Sequence, residues 1–306
     1  MSRIPNNIHM VYGLAKDFGW QPYKNADNIP RPGADSFNLI RYLSVKSAYE
    51  VNKPDNFYFY YQYEPTGELW EKAKQYITPV KIEAPNEIFG NPVERFAHKA
   101  DIIRLQALIE EGGIYLDTDV LCLKPFTPLL DLEGTKGGCV IGQEGLYWEN
   151  DGKLTNAILL AEPNSEFCKI WLNSFQSFND DNWGGHGVKM PFLLSKQYPE
   201  LITIEHYKKF TWPLYHTDAM KWFYRGEGWN DSENIVCQIG GPLKANEDLS
   251  ESYCIHLWMN RCVTNEFYKD WPNNPMEDWM TVDKIKNVDT PFNILARPFL
   301  NDFYEK

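Results

Sequence analysis

The sequence predicts an α/β protein, Rossmann-type in plan, with a mostly parallel central sheet flanked by helices. Apolar runs of strand length alternate with segments of helical periodicity, the pattern of parallel strands joined by crossover helices. The segment from Phe96 to Val120 reads as helix, turn and strand, with Gly112-Gly113 between the two halves. Asp117 and Asp119 leave that strand at its carboxyl end, where open α/β sheets bind their ligands.

In chain order, residues 8–12 follow Pro5, end at Gly13 and read as an early buried strand. Residues 21–33 carry three prolines among Asn and Asp and read as a loop. Residues 38–52 read as a helix, with Leu39, Tyr42, Leu43 and Lys46 on recurring spacings and Pro54 beyond the end. An aromatic run at 57–63 has strand length; a short helix at 68–76 and a strand at 80–82 follow. The next helix is expected to take Asn91 as N-cap, with Pro92 at its first position and Glu94 reaching back to the Asn91 amide. Ile102, Leu105 and Ile109 give it an apolar stripe, and Gly112 ends it in the left-handed conformation.

The second half suggests short strands at 140–142 and 156–161, a helix at 166–178, and a glycine-rich loop at 183–187. A helix after Pro191 and a late strand at 255–258 complete the pattern. Residues 207–229 are dense in aromatics, suited either to an acceptor surface or to core.

A chain of 306 residues, 43% hydrophobic and 15% aromatic, supports one large domain or two smaller ones. A net charge of −12 disfavours nucleic acid and anionic lipid as partners. An anionic ligand would then need a metal or a local cluster of donors. Six cysteines without a C-x-x-C fit a reducing compartment without excluding disulfides. The N-terminus has no signal-peptide pattern, and no apolar run approaches the ~20 residues of a membrane span. A cytoplasmic enzyme without an integral membrane segment is the expectation. No pattern specifies an oligomeric state.

Carboxylates at i and i+2 of an extended segment point the same way and repel unless a cation lies between them. The spacing alone is common in solvated turns; the glycine stop and the apolar strand before it give it weight. Asp101 and Arg104 lie one helical turn apart and could form only a surface ion pair. Alternatively, Asp101 accepts hydrogen bonds from sugar hydroxyls while Arg104 fixes it or offsets nearby carboxylate charge.

The string HKADIIRLQALIEEGGIYLDTDV resembles the A-D-x-x-R…GG-x-Y-x-D-x-D signature of the sugar-nucleotide glycosyltransferases of family 32. That family includes yeast-type initiating mannosyltransferases and animal α-1,4-galactosyltransferases; large clostridial toxin glucosyltransferases share the pattern. IPNNIHMVYG resembles the family's opening I-P-x-x-I-H-x-x-W, with Tyr12 near the usual Trp. TNAILLAEPNSEF resembles its N-A segment, with Ser165 near the usual His. The resemblance is carried by residues up to about Phe167.

What the resemblance implies is a GT-A-like fold and retaining transfer of a hexose from a nucleoside-diphosphate sugar, UDP-linked by preference, to a glycan or other hydroxyl acceptor. It implies that Asp119 binds Mn²⁺ or Mg²⁺ directly and that Asp117 touches the metal or the ribose, with Thr118 between them at the donor. His256 is the implied third metal ligand. Asp101 and Arg104 would hold the donor sugar, Val11 and Tyr12 would line the base pocket, and Asn156 would face the sugar. Asp101, Asp117 and Asp119 are thus the expected catalytic residues, and Trp183 and His186 the expected acceptor side. Residues 1–270 would form one catalytic domain, with 1–125 as nucleotide-sugar half and 126–270 as acceptor half. Residues 271–306 would be a tail packed on it.

Two other functions fit parts of the pattern. An aspartate-nucleophile phosphatase also places D-x-D at a strand end, but the adjacent pair Asp180-Asp181 follows no apolar run. A non-catalytic carbohydrate-binding protein would need no nucleoside diphosphate.

Overall fold

The computed structural model describes residues 4–16, 18, 37–131, 137–145, 152–214, 217–225, 249–259 and 280–303. The loop expected at 21–33, Tyr215, Trp229 and residues 271–279 lie outside them.

The first third of the chain is β-α-β-α-β: β1 (Asn7–Val11), α1 (Leu39–Asn52), β2 (Asn56–Tyr61), α2 (Glu68–Ala73) and β3 (Thr78–Lys81). A two-residue pair, β4 (Glu87–Ile88) with β5 (Asn91–Pro92), leads into α3 (Phe96–Glu111), β6 (Gly113–Leu116) and β7 (Val120–Cys122). Strands β8 (Cys139–Gln143), β9 (Leu154–Ala161), β10 (Thr203–Glu205) and β11 (Cys254–His256) follow. The main sheet has seven strands in the order β10-β8-β9-β6-β1-β2-β3. Pairing is parallel except at β9, which runs antiparallel to both β6 and β8. Strands β7 and β11 form a separate antiparallel ribbon.

Alternation along the strands divides two cores across the sheet. Ile8, Met10, Ile114, Leu116, Ile158 and Leu160 face the layer of α1, α2 and the C-terminal helices. Val11, Tyr115, Leu159 and Ala161 face the layer of α3 and the helix Glu166–Asn173. The first core also takes up Tyr207, Phe210, Trp212, Trp222, Phe223 and Tyr224, so the described part of the aromatic stretch is buried.

The start of α3 differs from the expectation. Asn91 is not its cap: Asn91 and Pro92 form β5, and the Asn91 amide donates to the carbonyls of Phe175 and Gln176. The helix begins at Phe96 and has no side-chain cap from its own first turn. Asp180 supplies the missing acceptor, its Oδ1 taking the backbone N–H of Glu94 and Arg95 at 3.3 Å each. A long-range carboxylate has replaced the local capping box, which is invisible to a reading of neighbouring residues. The expected 166–178 helix is likewise shorter, passing at Ser174 into a 3₁₀ turn. Ser165 caps its start, accepting from the Cys168 amide.

The C-terminal segment Arg297–Phe303 docks on α1. Asp302 accepts hydrogen bonds from Tyr42 and Tyr76 and pairs with Lys46 at 2.8 Å, beneath the Tyr42–Phe303 ring contact. Among the described residues no helix is long and apolar enough to cross a membrane, and Cys122, Cys139, Cys168 and Cys254 are buried thiols.

Candidate active site

The turn between α3 and β6 aims the site. Gly112 has φ +64° and Gly113 φ +123°. A Cβ on Gly112 would come within 2.5 Å of Pro163, and one on Gly113 within 2.4 Å of the Asn7 carbonyl. Conformation and space both demand glycine at this pair. His9, wholly buried on β1 and packed against the rings of Tyr58 and Tyr60, hydrogen-bonds the Gly112 carbonyl at 2.8 Å and the Tyr60 hydroxyl at 3.1 Å. Burial lowers its pKa to about 4 against the help of the Gly112 carbonyl, so it serves as a neutral clamp.

Strand β6 ends at Leu116, and the Asp117 amide donates to the Ala157 carbonyl of β9 at 2.8 Å. Thr118 and Asp119 then turn into β7, half-buried like Asp117. The ribbon partner β11 sets His256 opposite Val120. Asp119 is fixed three ways: its carbonyl accepts from Leu257 N at 2.8 Å, its Oδ2 accepts from Met259 N at 2.9 Å, and its Oδ1 lies 3.4 Å from His256 Nε2. One ligand atom each from Asp117, Asp119 and His256 falls within 4.8 Å of the others. Two carboxylates and an imidazole at this spacing fit a divalent cation of the Mg²⁺–Mn²⁺ type.

Asp101 and Arg104 are a buried lock, not a surface ion pair. Arg104 Nη2 lies 3.0 Å from Asp101 Oδ1 and 3.5 Å from Asp117 Oδ1, with both Asp101 and Arg104 almost fully enclosed. Arg104 also donates to the carbonyls of Asn156 and Ala100, and its guanidinium lies over the Tyr115 ring. The Tyr115 hydroxyl donates to Asp117 Oδ1 at 2.9 Å, and Asn156 Nδ2 donates to Asp101 Oδ1 at 2.8 Å.

The charges separate in a useful way. Burial holds Asp101 and Asp117 above the usual carboxylate range, against the pull of Arg104. Burial also acts to raise Asp119, but His256 and the Met259 amide more than offset it and keep that carboxylate low. Burial acts to lower His256, and the Asp119 charge overrides it and raises the imidazole.

Over Asp101 lies the turn Gly185–Lys189, wound so that the Lys189 amide reaches back five residues to the Gly184 carbonyl. A Cβ on Gly187 would stand 2.6 Å from Asp101 Oδ2 and 2.7 Å from Asn156 Nδ2. Trp183, expected on the acceptor side, is exposed, and its carbonyl accepts from His98 at 3.1 Å. His186 packs against the stacked rings of Phe175 and Phe178, its Nε2 3.3 Å from the Ser174 carbonyl. Val11 is buried at the end of β1, and Tyr12 next to it carries the Arg41 guanidinium 4.1 Å above its ring. The sequence reading gave Arg41 no role, named Asp180 only in the phosphatase alternative, and saw Gly187 only as part of the glycine-rich loop.

With its acidic pair beyond the carboxyl edge of a central strand in a mostly parallel sheet, the fold is of the GT-A-like class. Residues 35–135 match the family model described as a glycosyltransferase sugar-binding region containing a DXD motif. Glucan organizing enzyme 1 of Cryptococcus neoformans var. grubii is 34% identical over 221 residues, covering 71% of this chain and 57% of that protein. Lactosylceramide 4-alpha-galactosyltransferase of Mus musculus is 28% identical over 160 residues, covering 52% of this chain and 40% of that protein. The chain thus spans about half the length of the curated relatives it matches. Among solved structures, the glycosyltransferase GlyE of Streptococcus pneumoniae TIGR4 overlaps 98% of this chain and 64% of its own, at 11% identity and a TM-score of 0.46. That overlap is too loose to carry a functional argument. Residues 35–135 thus carry the DXD-containing sugar-binding region of this glycosyltransferase family.

Proposed function

We propose that this chain is a metal-dependent, retaining glycosyltransferase. It moves a hexose from a nucleoside-diphosphate sugar, UDP-linked by preference, to a hydroxyl of a glycan or other acceptor. The observation that carries the reading is the Asp117–Asp119–His256 group set beside the Asp101–Arg104 lock at one sheet edge.

In this reading Asp119, Asp117 and His256 hold Mn²⁺ or Mg²⁺. Such an ion, when bound, supplies Lewis-acid stabilisation of the departing diphosphate. Asp101 and Asn156 receive the donor sugar, Thr118 lies at the donor, and Val11 and Tyr12 line the base pocket. Residues 1–125 form the donor half and 126–270 the acceptor half, with Trp183 exposed near the acceptor.

Asp101 Oδ1 is occupied by Arg104 and Asn156, and Oδ2 faces Gly187, which supports a positioning role over a nucleophilic one. Transfer then proceeds on one face of the sugar. The anomeric carbon–phosphate oxygen bond breaks, the acceptor oxygen bonds the same carbon, and its proton passes to the departing phosphate oxygen.

The test is a panel of UDP- and GDP-sugars with Mn²⁺, scored by release of free nucleotide without acceptor. Mn²⁺-dependent release from one donor class is expected. Absence of release throughout, together with no thermal stabilisation by UDP or GDP, would sink the reading.

A further inference from the structure

The aspartate pair creates a charge problem. A divalent cation between Asp117 and Asp119 is neutralised by them, yet the donor's diphosphate brings further negative charge into a chain of net charge −12. A second cation with donors to spare is needed there. Arg104 cannot supply it: its three nitrogens are engaged by Asp101, Asp117 and the carbonyls of Asn156 and Ala100. Lys99 is turned to the Asn86 side chain, and Arg95 to Asp180.

Arg41 is placed differently. It stands in the first turn of α1, where its backbone N–H, not its side chain, is used by the Asn38 cap. Its Nε is buried and has no hydrogen-bond partner among the described residues. An N–H so placed has lost its water without gaining a partner, which is costly unless a ligand completes it.

Its location fits that ligand. The guanidinium carbon lies over the Tyr12 ring, 4.1 Å from its centre. Tyr12 continues β1, which pairs in parallel with β6, His9 lying level with Tyr115. Both strands run on in the same direction, β1 to Tyr12 and β6 to Asp117, so Tyr12 and the Arg41 above it lie at the same edge of the sheet as the acidic pair.

We propose that Arg41 binds the diphosphate of the nucleotide donor, its flat face braced by Tyr12 and its edge turned to the phosphate oxygens. The proposal rests on the sugar-nucleotide reading above and adds to it a residue outside the D-x-D segment. A guanidinium suits the task because its planar fork of donors matches two phosphate oxygens at once.

The experiment is calorimetric binding of UDP, UMP, GDP and GMP to the full chain in Mn²⁺, for wild type, Arg41→Gln, Arg41→Lys and Tyr12→Ala. Wild type should bind diphosphates more tightly than monophosphates. Arg41→Gln should weaken the diphosphates by about ten- to one-hundred-fold and the monophosphates far less, collapsing the ratio. Arg41→Lys should recover part of the loss. Equal weakening of mono- and diphosphates, or a change under about threefold, would overturn the proposal while leaving the sugar-nucleotide reading in place. Failure of wild type to bind either diphosphate removes both. Unfolding midpoints of the free proteins show whether the variants remain folded.

Discussion

Gly187 and Asp101 meet with no room for a methyl group, since a Cβ at residue 187 would stand 2.6 Å from Asp101 Oδ2. The glycine is therefore selected by its neighbour's carboxylate. Gly187→Ala should push Asp101 or the turn aside at about 1–3 kcal/mol and reduce donor hydrolysis at least tenfold. Gly184, where a Cβ meets nothing within 4 Å, is the control: Gly184→Ala should leave the rate unchanged. Equal rates for the two variants would show that the turn does not bear on Asp101.

Asp180 joins the start of α3 to the segment that follows it. Its Oδ1 takes two backbone amides and lies 2.8 Å from His98 Nδ1, and His98 in turn reaches the Trp183 carbonyl. Asp180→Ala should cost about 3 kcal/mol, since it strips a buried acceptor from a helix start and from Arg95. Urea unfolding measures this. A loss below about 1 kcal/mol would mean that water replaces the carboxylate freely.

His9 makes stability depend on pH. Its folded pKa of about 4 lies below the ordinary histidine value of 6.5, so the unfolded chain takes up a proton first. Its contribution is complete above pH 6.5 and is lost as pH falls toward 4, by about 3 kcal/mol in all. His9→Gln should flatten that part of the pH–stability curve. An unchanged slope would remove His9 as its source.

Asp119 and His256 are expected to act together on the metal. Asp119→Ala should abolish Mn²⁺-dependent donor hydrolysis and leave the fold intact; activity above about one-tenth of wild type would take Asp119 out of the metal site. His256→Ala should weaken Mn²⁺ binding about ten- to one-hundred-fold, read by calorimetry.

Local chemistry made much of this molecule readable. The strand of Ile8 to Val11, the helix up to Asn52, and the run from Gly112 through Asp119 are dictated by residues a few positions apart. So is the placement of the acidic pair, because a strand end in an open sheet is a position that periodicity reveals. The start of α3 was misread for the opposite reason: Asp180 is distant in sequence, and a competing use for Asn91 exists only once the chain has folded. Arg41 drew no reading from the sequence, because its buried Nε is a fact of packing. The aromatic stretch beginning at Tyr207 offered no means of telling core from surface, since bulk alone suits either.

The bond from Met259 N to Asp119 Oδ2 closes a span of 140 residues, and the β7–β11 ribbon brings His256 to the same carboxylate. On the ribosome the two aspartates emerge early and the imidazole late. A nascent or truncated chain ending before residue 256 would carry two mutually repelling carboxylates without their third partner. On the metal-site reading proposed above, full cation capture waits until the β7–β11 ribbon has closed.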